Sequence, residues 1–352
     1  MSLIATILQP IRANYPSNLD RDELRRTRNG LLYAAIDMTK SPMSIISADL
    51  QRKAAESEGL ALSVPVMTKG DVTITNVRSC TITDPQSASA LVNVIWKTAV
   101  LNVTMVPVQY TNNLIGYQAD LGKKIADKVE ALKSYIETDI DTALNTNKTQ
   151  VYGSTIPTTD YTISGGAIQV PNDDKYFLNN VGAINFADDF FAAETYFLAS
   201  PNLMPYVTRY YNQGAANSEN TQFQFQDKNF GYSNRVVVAA GKIATAYFMP
   251  DGTLGFLTRI DKTARAGVKS TDGTEWDVEQ LPGLPFPVGV QYKSTCADKS
   301  ALDGSLTAHL TATLEEKWQF SVDYAILTPY NSDPATKAGA IRKIELVPST
   351  TP

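Results

Sequence analysis

The chain has 352 residues, 43% of them hydrophobic and 19% charged, which is enough apolar material for more than one core and excludes a disordered segment. A net charge of −5, from 31 Lys and Arg against 36 Asp and Glu, argues against a protein built to grip nucleic acid, because phosphate binding needs clustered cations; it does not exclude a wall that encloses DNA without holding it. Cys80 and Cys296 form no CxxC pair and read as free thiols in a reducing compartment. The start, "MSLIATILQPIRANYP", has no basic signal-peptide region, and no apolar run approaches the ~20 residues of a membrane helix, so use in a cytoplasm without a membrane partner is expected.

Residues 1–48 read as extended and weakly cored. "NLDRDELRRTRNG" offers a short charged helix that starts near Asn18 and stops at Gly30; its Arg25, Arg26 and Arg28 read as a solvated face, with contact to an acidic partner or packaged nucleic acid as the alternative. A long β-hairpin follows over 64–110. Its strands are expected at Asp71–Thr83 and Ala90–Val108, joined by the turn residues "DPQSAS". Ile95, Leu101, Val103 and Met105 alternate to one side, and Val94, Trp96, Val100 and Val106 to the other. Neither face is cleanly polar, the pattern of a strand covered on both faces.

A long helix is expected next, from Asn113 to about Asn145. Leu114, Leu121, Ile125, Val129, Leu132, Ile136, Ile140 and Ala143 recur at three-to-four spacing and make one apolar stripe. Lys123, Lys124, Asp127, Glu130, Lys133 and Glu137 are assigned to its solvent surface. Beyond the loop or weak strand at 153–166, "NFADDFFAAETYFLAS" reads as a helix capped by Asn185, with Asp188 and Asp189 in its first turn. "PNLMPYVTRYYNQG" reads as a second helix weakened by Pro205. Strands are expected at "RVVVAA" from Arg235, across "ATAYFMPDGTLGFLTRI" with its Asp251-Gly252 turn, at Leu310–Leu327, and in the tail "AIRKIELVP".

Catalytic patterns are missing. His309 is the only histidine, which removes HExxH and most Ser/His/Asp triads, and its place mid-strand suits a structural role. Asp139 and Asp141 stand two apart on a helix and point to different faces, so they are no acid/base couple. No GxGxxG or GxxxxGK[ST] occurs, no metal site or cofactor is expected, and the chain reads as a non-enzyme. The sequons at Asn102 and Asn147 are attributed to chance.

The order of parts is an arm, a long hairpin, a long unbroken helix from "PVQYTNNLIGYQADLGKKIADKV" to "IDTALNTNK", a mixed region containing "MPDGTLGFLTRI", and a last strand. It resembles the tailed-bacteriophage major capsid proteins, a fold shared with encapsulins and the floor of the herpesvirus capsid. The resemblance implies an α+β fold. It divides the chain into an N-terminal arm (1–48), an extended-loop hairpin region (49–112), a peripheral domain with a spine helix (113–170), an axial domain (171–325) and a strand returning to the peripheral domain (326–352). It implies a spine core of Leu121, Ile125, Val129, Leu132, Ile136 and Ile140, and contacts to neighbouring subunits through Ile95, Trp96, Leu101, Val103 and Met105. It also implies assembly as pentamers and hexamers into an icosahedral shell around double-stranded DNA, bound without sequence preference. Assembly would take place in the host cytoplasm, with portal, scaffold and decoration or other capsid proteins as partners. An encapsulin-like compartment and a β-rich ligand-binding protein are the alternatives. Lys69 and Lys97 read as surface lysines, and no crosslink is expected.

Overall fold

A computed structural model describes residues 30–57, 61–67, 89–110, 116–149, 161–174, 176–188, 190, 194–215, 228–260, 268–298, 312–333 and 338–349. The helix expected over 18–29, the hairpin strand Asp71–Thr83, all of its turn but Ser89, Leu114, Asp189 and His309 lie outside them. The fold is mixed helix and sheet. The helices are α1 (Gly30–Lys40), α2 (Ala48–Glu56), α3 (Tyr117–Asn147), α4 (Phe177–Ala187) and α5 (Met204–Ala215). None among the described residues is long and apolar enough to cross a membrane.

Among the described residues the strands form three sheets. β1 (Ser63–Met67) and β2 (Ser89–Asn93) form an antiparallel ribbon, with Pro65 opposite Leu91. A second, wholly antiparallel sheet runs β10 (Val268–Lys269), β11 (Thr274–Glu279), β12 (Val288–Asp298), β13 (Ala312–Leu327), β3 (Lys97–Met105), and β9 (Gly255–Arg259) pairs with the far end of β13. The third runs β4 (Thr162–Ser164), β5 (Ala167–Pro171), β14 (Arg342–Val347), β8 (Ala244–Pro250), β6 (Thr195–Ala199), β7 (Lys228–Tyr232). Two of its pairings, β14 with β5 and β6 with β7, are parallel.

Helix α3 spans 31 residues, about 46 Å at the α-helical rise. It begins after Gly116, places Asp120 in its first turn where the helix dipole favours a carboxylate, and contains no proline. Leu121, Ile125, Val129, Leu132, Ile136 and Ile140 are each at most 3% exposed. The stripe closes on Leu144 rather than on Ala143. All these side chains join one core with β3, β12 and β13 on one side and with Tyr196, Leu198, Tyr247 and Met249 of the third sheet on the other. A second core on the opposite face of the third sheet contains Phe197, Ala246, Phe248 and Ile344 with α4 and α5. Every residue of β8 is buried, since helices cover its sheet on both faces.

Because α3 is wedged between layers, its polar row is not all solvated. Lys133 and Glu137, expected at the surface, are 6% and 0% exposed, and Lys133 is neutralised by Glu130 at 2.9 Å. Hydropathy spacing finds the apolar stripe and cannot see that a second side of the helix is also covered.

The sheets divide the chain differently from the expected domains. Residues 255–327 do not belong with 171–250: β9, β11, β12 and β13 build the sheet that packs on α3. The last strand β14 lies between β5 and β8 in the third sheet, and β5 is a strand of the 113–170 range to which it was expected to return. Asp251-Gly252 is therefore not a hairpin turn, because β8 and β9 pair in different sheets. The turn carries the chain between them. Gly252 has φ +76° and lies against the backbone of Met43, whose next-but-one neighbour Ile45 donates its N–H to the Gly252 carbonyl at 3.0 Å.

Gly30 starts α1 instead of ending a helix. A Cβ there would collide with the backbone of Gly231 and Tyr232, so the glycine serves a close approach. The helix expected after Asn185 is displaced: α4 ends at Ala187, and "TYFLA" is strand β6, whose alternate side chains feed two cores. Asp188 stands at the end of α4 and pairs with the fully buried Arg342 of β14. Pro205 is accommodated in the first turn of α5, where its missing N–H costs little. Residues 235–240 form no strand; they run from a turn at Ser233–Val236 across the end of the third sheet.

Candidate functional site

The run 90–108 is not one strand. It breaks at Val94–Trp96, so β2 pairs with β1 and β3 pairs with β13 over nine residues, from Met105 opposite Glu316 to Lys97 opposite Tyr324. Ala99, Val103 and Met105 of β3 are buried and Leu101 is packed against the same core, while Thr98, Val100, Asn102 and Thr104 face out. Once the break is known the buried face is apolar and the outward face polar apart from Val100.

This redistributes the five expected contact residues. Val103 and Met105, at 3% and 1% exposure, serve the chain's own core and are unavailable to a neighbour. Leu101 is half-buried beside them. Trp96 packs against a small cluster of Ile46, Ala54, Val94, Leu257 and Ala325, and its ring lies 4.1 Å from the guanidinium carbon of Arg259. Ile95 alone stands out, at 78% exposure.

That small cluster is the root of the β1–β2 ribbon. Leu62 and Val64 enter it from the ribbon, Leu50 from α2 and Leu327 from the end of β13. Arg259 ties the same elements together. Its Nε donates to Asp323 at 3.1 Å and its Nη1 to Ser57 at 3.0 Å, and Thr98 donates to the other Asp323 oxygen at 2.6 Å. Beyond the root one ribbon face holds Val64, Val66, Ala90 and Val92, half-buried. The other presents Pro65, Met67 and Leu91 to solvent, with Met67 72% and Leu91 71% exposed. Met43 and Ile45, at 66% and 40%, are further exposed apolar side chains. Sequence reasoning missed Pro65, Met67 and Leu91. The sequence carried little signal for them: "SVPVM" and "SALVN" are short and hold consecutive apolar residues, so the alternation in exposure shows only once β1 and β2 are paired.

The charged groups beside the ribbon root are paired. Lys97 Nζ lies 2.8 Å from Asp139, which also accepts the Tyr324 hydroxyl; burial and this carboxylate together push the Tyr324 phenol up from its ordinary range. Asp141, two residues on, turns to the other layer, where burial raises its carboxyl against the lowering effect of Tyr247 and the Val237 amide. A shallow depression on the outer face of the second sheet is lined by Asn102, Gln291, Lys293, Lys317 and Gln319. Its groups engage neighbours: Lys293 with Asp272 at 2.8 Å, Lys317 with Glu315 at 3.3 Å, and Gln319 with Asn102 at 3.0 Å. Among the described residues no group of three or more His, Cys, Asp or Glu could hold a metal ion.

No family model and no curated protein matches the chain. Solved structures do resemble it. A Mycobacterium phage Che8 chain aligns over 94% of this chain and 97% of its own at 8% identity, with a TM-score of 0.48. The capsid of Ralstonia phage GP4 aligns over 83% and 84% at 8% identity, with a TM-score of 0.47. The capsid of a native GTA particle aligns over 95% of each chain at 10% identity, also with a TM-score of 0.47.

Proposed function

We propose that this chain is a shell-forming subunit, the major capsid protein of a tailed phage. It would assemble as pentamers and hexamers into an icosahedral virion capsid around double-stranded DNA. One observation carries the reading: a two-stranded ribbon stands on a packed root and, with the adjoining Ile95, presents Pro65, Met67 and Leu91 to solvent. An isolated two-stranded ribbon is marginal in water, and exposed apolar side chains grouped on one element mark a partner surface. A second copy is the partner of choice, because closed symmetric assembly repeats one weak contact many times.

The order of elements read from the sequence supports the same conclusion, with α3 as the stiff spine and the arm and ribbon reaching to neighbours. In this reading the subunit has no catalytic role. DNA is enclosed rather than gripped, in keeping with the net charge of −5. Portal, scaffold and decoration proteins would be partners in the same particle, assembled in the host cytoplasm.

The experiment is electron microscopy and light scattering of the purified protein, alone and with Leu91→Asp. Closed polyhedra or ring arrays from the wild type, lost in the variant at unchanged melting temperature, support the proposal. A wild type that stays monomeric at assembly concentrations and binds a small ligand would refute it.

A further inference from the structure

Glu137 sits where three elements meet. It lies on the side of α3 that faces the start of α1 and the turn at Ser233–Val236, and it is 0% exposed. One carboxylate oxygen accepts the Leu32 amide N–H at 2.6 Å, so a side chain from residue 137 caps the first turn of a helix more than a hundred residues earlier. The other oxygen, Oε2, is buried. A charged carboxylate here gains from the helix N-terminus but loses all contact with water. Burial dominates and pushes the Glu137 carboxyl up to about 7, against the lowering effects of the Ser233 hydroxyl, the Leu31 and Leu32 amides and the Arg235 charge.

The surrounding charges are few. From α3 itself, Lys133 and Asp141 lie one turn to either side; Lys133 is held by Glu130, and Asp141 is turned to Tyr247 and the Val237 amide. From the turn comes Arg235, which is exposed. From α1 come backbone amides.

We propose that Glu137 is a proton-operated clasp: with its proton it holds the start of α1 against α3, and on losing that proton the joint opens more readily. The sign follows from linkage. The closed joint binds the proton more tightly than an opened one, in which Glu137 meets water and titrates near its ordinary 4.5. Opening therefore releases a proton, and is favoured as pH rises from about 4.5 through about 7. The clasp sets how firmly α1 itself is held against α3. The inference does not depend on shell formation.

The test is hydrogen exchange by mass spectrometry on the full-length protein, in whatever assembly state it adopts, following the peptide that contains Leu31 and Leu32. After correction for intrinsic exchange rates, wild-type protection should fall about tenfold between pH 6 and pH 8.5. Glu137→Gln, which keeps an acceptor for Leu32 and cannot ionise, should show no such fall. Arg235→Ala, a change at an exposed residue, should shift the fall to higher pH, because the removed charge favoured ionisation. Wild-type protection that is flat with pH overturns the proposal. So does a fall that persists in Glu137→Gln, or one abolished by Asp141→Asn instead. If Glu137→Gln does not fold, the wild type and Arg235→Ala decide: a fall that does not move in Arg235→Ala overturns it.

Discussion

Lys97 and Asp139 meet at 2.8 Å, and their contact fixes the exit of the ribbon to the long helix. Lys97 is the first residue of β3, immediately after the break that separates the ribbon from the sheet, and Asp139 belongs to α3. The lysine is half exposed, so the ion pair itself is worth little, about 0.2–1 kcal/mol. The Tyr324 hydroxyl shares the carboxylate and is better shielded. Asp139→Ala should therefore cost about 1–2 kcal/mol in total, most of it through Tyr324, and only a small part should vanish in high salt. Chemical denaturation at two salt concentrations separates the parts. A loss that disappears wholly in salt contradicts the role given to Tyr324.

Ile136→Asp should abolish folding. Ile136 is 0% exposed in the main core, and an unpaired carboxylate there costs several kcal/mol out of a typical ~5–15. Thr138→Ala, on the exposed side of the same helix turn, should be neutral or slightly stabilising, since alanine is the better helix former. Far-UV circular dichroism and thermal melting check both. A wild-type melting curve for Ile136→Asp would sink the placement of α3.

Gly30→Ala provides a test with opposite expectations. Helix propensity alone says that alanine stabilises by up to about 1 kcal/mol. The close backbone of Gly231 and Tyr232 says that it destabilises, by about 1–3 kcal/mol through overpacking. The structure predicts the second, and a raised melting temperature would show that α1 does not touch β7 as described.

Leu91→Asp and Val103→Asp should behave oppositely, although the two residues lie in one apolar stretch of sequence. Leu91 is 71% exposed and Val103 3%. The first should change stability by no more than about 0.5 kcal/mol and reduce association; the second should prevent folding. Trp96→Ala should fall between, destabilising the ribbon root by removing the ring beneath Arg259. Thermal melting and light scattering on the same samples distinguish them. Equal effects of Leu91→Asp and Val103→Asp would show the break at Val94–Trp96 to be wrong.

The long helix was legible because its evidence is local: six apolar residues at helical spacing, no proline, and an end near Asn147. β13 and β14 were legible for the same reason. What the sequence hid were decisions made by distant partners. Nothing local says that Lys97 turns toward Tyr324 while Asn93 turns toward Ser63, so the run 90–108 looked continuous. Gly30 reads as a stop until Tyr232 is placed against it. Lys133 and Glu137 read as solvated until a second layer covers them. Next to the ribbon, Ile95 is exposed, and the exposed Pro65, Met67 and Leu91 were passed over because five-residue strands give weak periodicity.

The placement of the last two strands has a consequence for how the protein is made. β13 begins at Ala312 and bonds β12 and β9 as well as β3, which left the ribosome more than two hundred residues earlier; β14 begins at Arg342 and fills the gap between β5 and β8. Neither large sheet can close on a nascent chain until nearly all of it has emerged. Contacts of such long sequence separation also form slowly, because loop closure must precede any gain from pairing. During translation β3 and β8 wait with unpaired edges, which a neighbouring nascent chain could pair wrongly. The same arrangement acts as a quality check: a chain truncated before Ala312 lacks the strand that joins β3 to β12 and the strand that joins β5 to β8. Such a fragment should be protease-sensitive throughout, and a protease-resistant core in it would show that one of the sheets closes without its last strand.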